Sequence, residues 1–251
     1  MADGIDNTWL SERLARRDTL VERDIAALRT LPVVTREFSI GQYILRDGDR
    51  PKYCSYLSDG YIYRHKIVGD GGRQIVSIHV PGDFVDAQNL LLGQSDHNIQ
   101  ALTDCTILMI PVDELMTVAM ANPGIARALW RETLVEAATL REWVANIGRR
   151  DARARTAHML CELAVRREHA GLGPRETFDL PMTQEQLGDA LGLTAVHVNR
   201  TLKTLEAEGL ITRNKRSVTV ANWRGLRGAG DFTETYLHLP GPRSPRGKLD
   251  D

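Results

Sequence analysis

The 40 residues from 182 to 221, MTQEQLGDALGLTAVHVNRTLKTLEAEGLITRNKRSVTVA, constrain this chain more than any other stretch. Thr183 with Gln186 three residues on is a capping box, so a helix opens there and runs to about Leu191. Gly192 allows a tight turn, and Thr194 caps a second helix that stops at Gly209, a natural left-handed terminator. Leu187, Ala190, Leu191, Leu193, Val198, Leu202 and Leu205 would form the seam between the two helices. This is a helix-turn-helix pattern. Beyond it, Leu210–Thr212 and Ser217–Val220 bracket Arg213-Asn214-Lys215-Arg216, which predicts a hairpin wing.

The second helix leaves Ala195, Val196, His197, Asn199, Arg200 and Lys203 away from the seam. Such positions reach base edges when a helix enters a major groove by its N-terminal end. Arg pairs with guanine O6 and N7, and Asn with adenine N6 and N7. From Thr194 to Arg224 six Lys/Arg stand against two acids, a local surplus suited to phosphate. The whole chain carries a formal charge of only −1, so any nucleic-acid signal has to be local.

The 251-residue chain has room for a second domain. From about Phe38, short apolar segments alternate with turns at Asp47-Gly48, Asp59-Gly60, Asp70-Gly71-Gly72 and Pro81-Gly82-Asp83. That rhythm predicts many short antiparallel strands, ending at Pro111, closed on one another to protect their edges. After Pro111 the period becomes helical. Asp113–Met120 is a short helix, and Asn122 then caps a long one with Pro123 at its first position. Ala126, Trp130, Thr133, Ala137, Leu140, Val144 and Ile147 follow at alternating spacings of four and three. This heptad seam predicts a dimer with a twin helix, while Leu129, Leu134 and Trp143 offer a second face to the chain's own domain. Residues 8–30 read as one amphipathic helix, GRRDARAR at 148–155 as a charged hinge, and the Gly- and Pro-rich end as disordered.

No apolar run approaches the roughly 18 residues of a membrane helix. The first residues are charged where a secretory signal would be apolar, so the chain reads as cytoplasmic. Cys54, Cys105 and Cys161 lie far apart without a CxxC, which argues for buried thiols rather than disulfides or zinc, with one redox-sensing thiol as the alternative. No metal site is expected.

The order of parts, with the VPGDF segment at 80–84 and TQEQLGDALGLTAVHVNRTLKTLEAEGLI at 183–211, resembles the Crp/Fnr family of bacterial transcription factors over about residues 20–222. The resemblance implies an α+β chain with no catalysis. Its parts would be an N-terminal helix (1–35), a cyclic-nucleotide-binding-like β-roll of jelly-roll type as sensor (36–120), a dimerisation helix (121–148), a winged helix-turn-helix (149–222) and a disordered tail (223–251). It implies a homodimer on near-palindromic double-stranded DNA, with RNA polymerase as a further partner. Base readout would fall to Ala195, Val196, His197, Asn199 and Arg200. Thr183, Gln184, Thr194, Lys203, Asn214, Lys215 and Arg216 would hold phosphates. Arg200 matches the family's base-reading arginine, whereas Val196 stands where many members carry a glutamate, so the half-site itself does not carry over.

The effector pocket departs from the family pattern. Val85, Asp86, Ala87, His97 and Asn98 occupy the positions that would hold a ligand. Asp86-Ala87 replaces the ribose-binding Gly-Glu pair, and no arginine lies between Arg73 and Arg127 to meet a cyclic phosphate. Cyclic nucleotide is therefore disfavoured. No cysteine precedes Cys54, which removes the ligands of an iron-sulfur cluster. His65, His79 and His97 are candidate haem ligands, but isolated histidines are commonly structural; what remains is an unknown small ligand, a redox thiol or a roll that serves only as scaffold, with no cofactor certain. Two other classes compete. An enzyme with a regulatory roll lacks a P-loop, GxSxG, HExxH or kinase signature. An architectural DNA binder would want a global positive charge.

Overall fold

The computed structural model describes residues 7–239. Two short helices open it, α1 (Thr8–Ala15) and α2 (Glu22–Arg29). The single helix expected over 8–30 is thus broken at 16–21. Asp18 explains the break. It is buried, accepts the Thr19 N–H at 2.7 Å, and is reached by Arg127 at 2.8 Å and Arg131 at 3.4 Å. A short carboxylate that finds such partners competes with the helical ladder. Asp24 then accepts the Val21 N–H at 3.0 Å and restarts the helix.

Two antiparallel sheets follow. Their strands are β1 (Val34–Phe38), β2 (Tyr43–Leu45), β3 (Tyr53–Asp59), β4 (Ile62–Ile67) and β5 (Arg73–His79). After the short helix α3 (Asn89–Leu92) come β6 (Asn98–Ala101) and β7 (Cys105–Pro111). One sheet has the order β1-β7-β3, the other β2-β6-β4-β5. Leu45, Leu57, Ile62, Val85, Ile99 and Ile107 fill the space between them. Gly60, at φ +82°, turns β3 into β4, and a Cβ there would stand 2.3 Å from the Asp104 carbonyl oxygen. Only glycine fits both demands. A register shift between Arg64 and His65 bends β4, and the His65 ring then lies against Tyr43 and Tyr63.

Helices α4 (Val112–Ala121) and α5 (Pro123–Arg149) come next. Asn122 precedes α5, but its amide donates back to the Val118 carbonyl at 2.8 Å and does not cap, contrary to expectation; the proline opens the helix alone. At 27 residues α5 is about 40 Å long. Ile125, Ala128 and Leu129 pack inward against Leu10, Leu14 and Leu28. Only Arg150 and Asp151 separate α5 from α6 (Ala152–His169), and the Asp151 carboxylate caps α6 by accepting the Ala154 N–H at 2.8 Å.

The last third holds β8 (Thr177–Asp179), α7 (Gln184–Leu191), α8 (Ala195–Ala207), β9 (Ile211–Asn214), β10 (Ser217–Val220) and α9 (Trp223–Ala229). Strand order is β8-β10-β9. The tail expected to be disordered from 223 is structured as far as 239; residues 240–251 lie outside the described range. Asn222 caps α9 at Gly225, and Leu226, Phe232 and Leu237 are buried in the core around α6. Those spaced apolar anchors outweigh the glycine content.

The C-terminal unit docks on the outer side of β5. Arg73 binds the Asp189 carboxylate of α7 at 2.7 Å, and Gln74 donates to the Asp189 carbonyl at 2.7 Å. Arg166 of α6 donates to the Ile78 carbonyl at 2.8 Å and to Asp83 at 2.6 Å.

Candidate nucleic-acid interface

Local chemistry builds the helix-turn-helix. The Gln186 N–H donates to Thr183 Oγ1 at 3.2 Å, and the Gln186 side chain accepts the Thr183 N–H at 2.9 Å. The turn passes Gly192 at φ +65°. Helix packing is close here: a Cβ on Gly188 would lie 2.4 Å from the Leu193 carbonyl oxygen. Thr194 Oγ1 accepts the His197 N–H at 3.2 Å and starts α8. Leu187, Ala190, Leu191, Val198, Leu202 and Leu205 are buried between the helices, and Leu193 packs beside them half-buried. The Leu210 N–H returns to the Leu205 carbonyl at 3.0 Å and ends the helix past Gly209.

The opposite face of α8 is open. Val196 is 81% exposed, Arg200 and Lys203 are exposed, and Ala195, His197 and Asn199 are half-buried. No carboxylate pairs with Arg200 among the described residues. Asn199 is not free, because its amide donates to Gln184 Oε1 at 3.1 Å across the turn. Thr183 and Thr194 are exposed at two helix N-termini, where backbone N–H groups favour anions. In the wing, Asn214 and Ser217 pair, and Lys215-Arg216 form the two-residue tip, both exposed. Lys215 has φ +55°. Arg213, by contrast, is held by Glu206 at 2.6 Å.

On α5, Trp130 is 67%, Leu134 52% and Val144 73% exposed. Ala126, Thr133, Ala137, Leu140 and Ile147 are half-buried. Leu134 was expected on the inner face with Leu129 and Trp143; those two are buried, and Leu134 points outward beside Trp130. At about 100° per residue Leu134 lies about 140° from Leu129 and about 180° from Trp143, but only about 40° from Trp130.

Residues 35–122 match the family described as a cyclic nucleotide-binding domain, and residues 154–229 match the Crp-like helix-turn-helix domain. The transcriptional activator protein FnrL of Cereibacter sphaeroides is 34% identical over 212 residues, covering 80% of this chain and 83% of the relative. The chain belongs to the Crp/Fnr family of transcription factors. The fumarate and nitrate reduction regulatory protein of Escherichia coli K12 is 26% identical over 204 residues, with 81% of each chain covered. The solved structure of FixK2 from Bradyrhizobium japonicum superposes with a TM-score of 0.73 at 26% identity, over 79% of this chain and 98% of that one. The protein is thus a DNA-binding transcription regulator and not an enzyme. Among the described residues, no helix is long and apolar enough to cross a membrane.

In this Crp/Fnr regulator the roll interior is already furnished. Val85 is fully buried and belongs to the packed core. Asp86 is 2% exposed and accepts the Ser55 N–H at 2.6 Å and its hydroxyl at 3.1 Å; burial raises its carboxyl to about 6. Ala87 is buried and offers no polar group. His97 binds Asp96 at 2.6 Å, and Asn98 accepts the Asp47 N–H at 3.2 Å. Arg64, which the sequence reading passed over, reaches into this space and binds Glu136 of α5 and the Val85 carbonyl. Burial raises the Glu136 carboxyl against the pull of Arg64. The Arg64 guanidinium is thus already committed to groups of the chain itself.

The other cofactor candidates have their own surroundings. Cys54, Cys105 and Cys161 are buried in three separate core clusters. Burial pushes the Cys105 thiol up to about 11 and Cys161 to about 12, and raises Cys54 well above its usual value. Buried, protonated thiols are inert. Burial and then Arg73 lower His65 to about 4, and burial and then Arg64 lower His79 to about 3. His79 bonds Ser77 at 2.8 Å. Among the described residues, no three His, Cys, Asp or Glu side chains are grouped to hold a metal ion.

Proposed function

We propose that this regulator is a cytoplasmic homodimer that binds a near-palindromic DNA site and recruits or blocks RNA polymerase there. The observation that carries the reading is the pairing of two open faces. The α5 helix exposes an apolar stripe, Trp130, Leu134 and Val144, and α8 exposes an unpaired Arg200. A stripe of that kind on a 27-residue helix is stabilised by a twin helix, with Ala126, Thr133, Ala137, Leu140 and Ile147 along the same seam. Two-fold symmetry then sets two α8 helices one DNA turn apart. Ala195, Val196, His197, Asn199 and Arg200 read bases. Thr183, Gln184, Thr194, Lys203, Asn214, Lys215 and Arg216 hold phosphates. The roll is regulated by neither cyclic nucleotide, haem nor an iron-sulfur cluster, and Arg64–Glu136 serves as a fixed tie between roll and dimer helix.

Sedimentation of the wild type and of Trp130→Glu tests the dimer. The wild type sediments as a dimer at micromolar concentration. Trp130→Glu sediments as a monomer and binds a two-half-site duplex at least 100-fold more weakly. A wild-type monomer, or a Trp130→Glu dimer with full affinity, contradicts the proposal.

A further inference from the structure

The tail does more than fill a surface. The link between α5 and α6 is only Arg150 and Asp151, so contacts on either side of it bear directly on the angle between the two helices. Residues 230–238 lie beyond both family matches and touch both sides of that link. On the α5 side, the Arg150 guanidinium donates to the Asp231 carbonyl at 3.3 Å and to its carboxylate at 3.2 Å. On the α6 side, the Tyr236 hydroxyl donates to Glu162 Oε2 at 2.7 Å. Glu162 is 2% exposed, and the same carboxylate accepts the indole N–H of Trp143, from α5, at 3.0 Å. Arg166 joins Glu162 at 3.2 Å and continues to Asp83 in the roll at 2.6 Å. One buried carboxylate therefore gathers donors from the dimer helix, the tail and α6.

The segment is pinned at each end. His158 Nδ1 donates to the Gly230 carbonyl at 3.1 Å, and a Cβ on Gly230 would stand 2.6 Å from the His158 backbone nitrogen, so the approach needs glycine. Arg17, just past α1, donates to the His238 carbonyl at 3.0 Å. Asp231 and His238 hold φ of +46° and +44°, a conformation that non-glycine residues keep only where surrounding contacts enforce it.

We infer that residues 230–238 are a strap that fixes the angle between the dimer helix and the DNA-binding domain, with Tyr236 and Asp231 as its positioning residues. The inference rests on the dimeric reading above. One added base pair between half-sites shifts the second by about 3.4 Å and turns it by about 34°. A strapped dimer accepts one spacing, and a loosened one accepts several.

Tyr236→Phe keeps the ring against Phe232 and His158 and removes only the hydroxyl, which binds Glu162 and lies 3.1 Å from His158 Nε2. Affinities are measured for duplexes with the selected spacing and with one base pair more or fewer. The wild type prefers its own spacing by at least tenfold, and Tyr236→Phe cuts that preference at least threefold while still melting cooperatively. A lesion that only lowers stability would weaken all three duplexes alike. A second readout needs no DNA. Hydrogen exchange at the Arg150, Ala154 and Arg155 amides accelerates at least tenfold in Tyr236→Phe, while the Leu187–Ala190 amides keep their protection. Unchanged spacing preference with unchanged hinge exchange overturns the strap. If the wild type ignores paired half-sites altogether, the dimeric reading fails, and the hinge exchange alone decides the strap.

Discussion

Arg200 and Arg64 sit at opposite ends of this molecule's chemistry. Arg200 projects from the first turns of α8, exposed and without a carboxylate. Arg64 is 5% exposed inside the roll, spent on Glu136 and the Val85 carbonyl. A guanidinium left open is free to bind a base or phosphate; one buried with its counter-ion is part of the scaffold. The contrast is why we propose recognition at the helix-turn-helix and a structural tie in the roll.

The largest effect expected from breaking this contrast is on stability. Arg64→Ala leaves the half-buried Glu136 without its partner, so it should cost about 3 kcal/mol, the low end for a buried pair. Thermal and urea unfolding would measure it. A loss below about 1 kcal/mol would mean the pair is solvated and the roll interior is open to a ligand.

A second test sharpens the roll side through pH. Burial raises the Asp86 carboxyl from 3.8 to about 6, so the folded protein holds this proton more tightly than the unfolded chain. Ionisation of Asp86 therefore opposes folding. The penalty is absent below about pH 4 and complete above about pH 6, worth up to roughly 3 kcal/mol at 1.36 per pH unit. Asp86→Asn removes it. The stability of Asp86→Asn relative to wild type should rise between pH 4 and pH 7 and stay flat above. Asp83 works in the opposite sense. Burial raises it, but Arg166, Arg13 and His79 outweigh burial and hold it low, so its contribution is lost only as pH falls. A flat difference curve for Asp86→Asn would show an ordinary carboxyl.

On the recognition side, Arg200→Ala should leave the melting temperature unchanged and weaken binding to the preferred duplex by about 1–3 kcal/mol, relaxing one guanine position. Equal loss on every sequence would make Arg200 a phosphate contact instead. The smallest effect is Thr194→Ala, which removes the cap of α8 and should cost about 1 kcal/mol of stability.

The two regions also differ in how far they can be read from the chain. The helix-turn-helix is legible because its determinants are local. Thr183 and Gln186 are three residues apart, Thr194 and His197 likewise, and Gly192 and Gly209 mark the turns. The Arg64–Glu136 pair spans 72 residues, and nothing in IYRHKI names its partner. Parity was the available signal: Arg64 stands two residues from core Ile62, on the same side of β4. The break at 16–21 was hidden for the same reason, since Asp18 finds its partners on α5. In the tail, Leu226, Phe232 and Leu237 were visible as apolar residues, but the glycines around them obscured the packing.

Selection from random duplex DNA with purified protein, at near-physiological salt and without added ligand, tests the central claim most directly. The account predicts a near-palindrome with half-sites about one helical turn apart, unchanged by cyclic AMP. Enrichment that appears only when a cyclic nucleotide is supplied, or no enrichment under any condition, would contradict it.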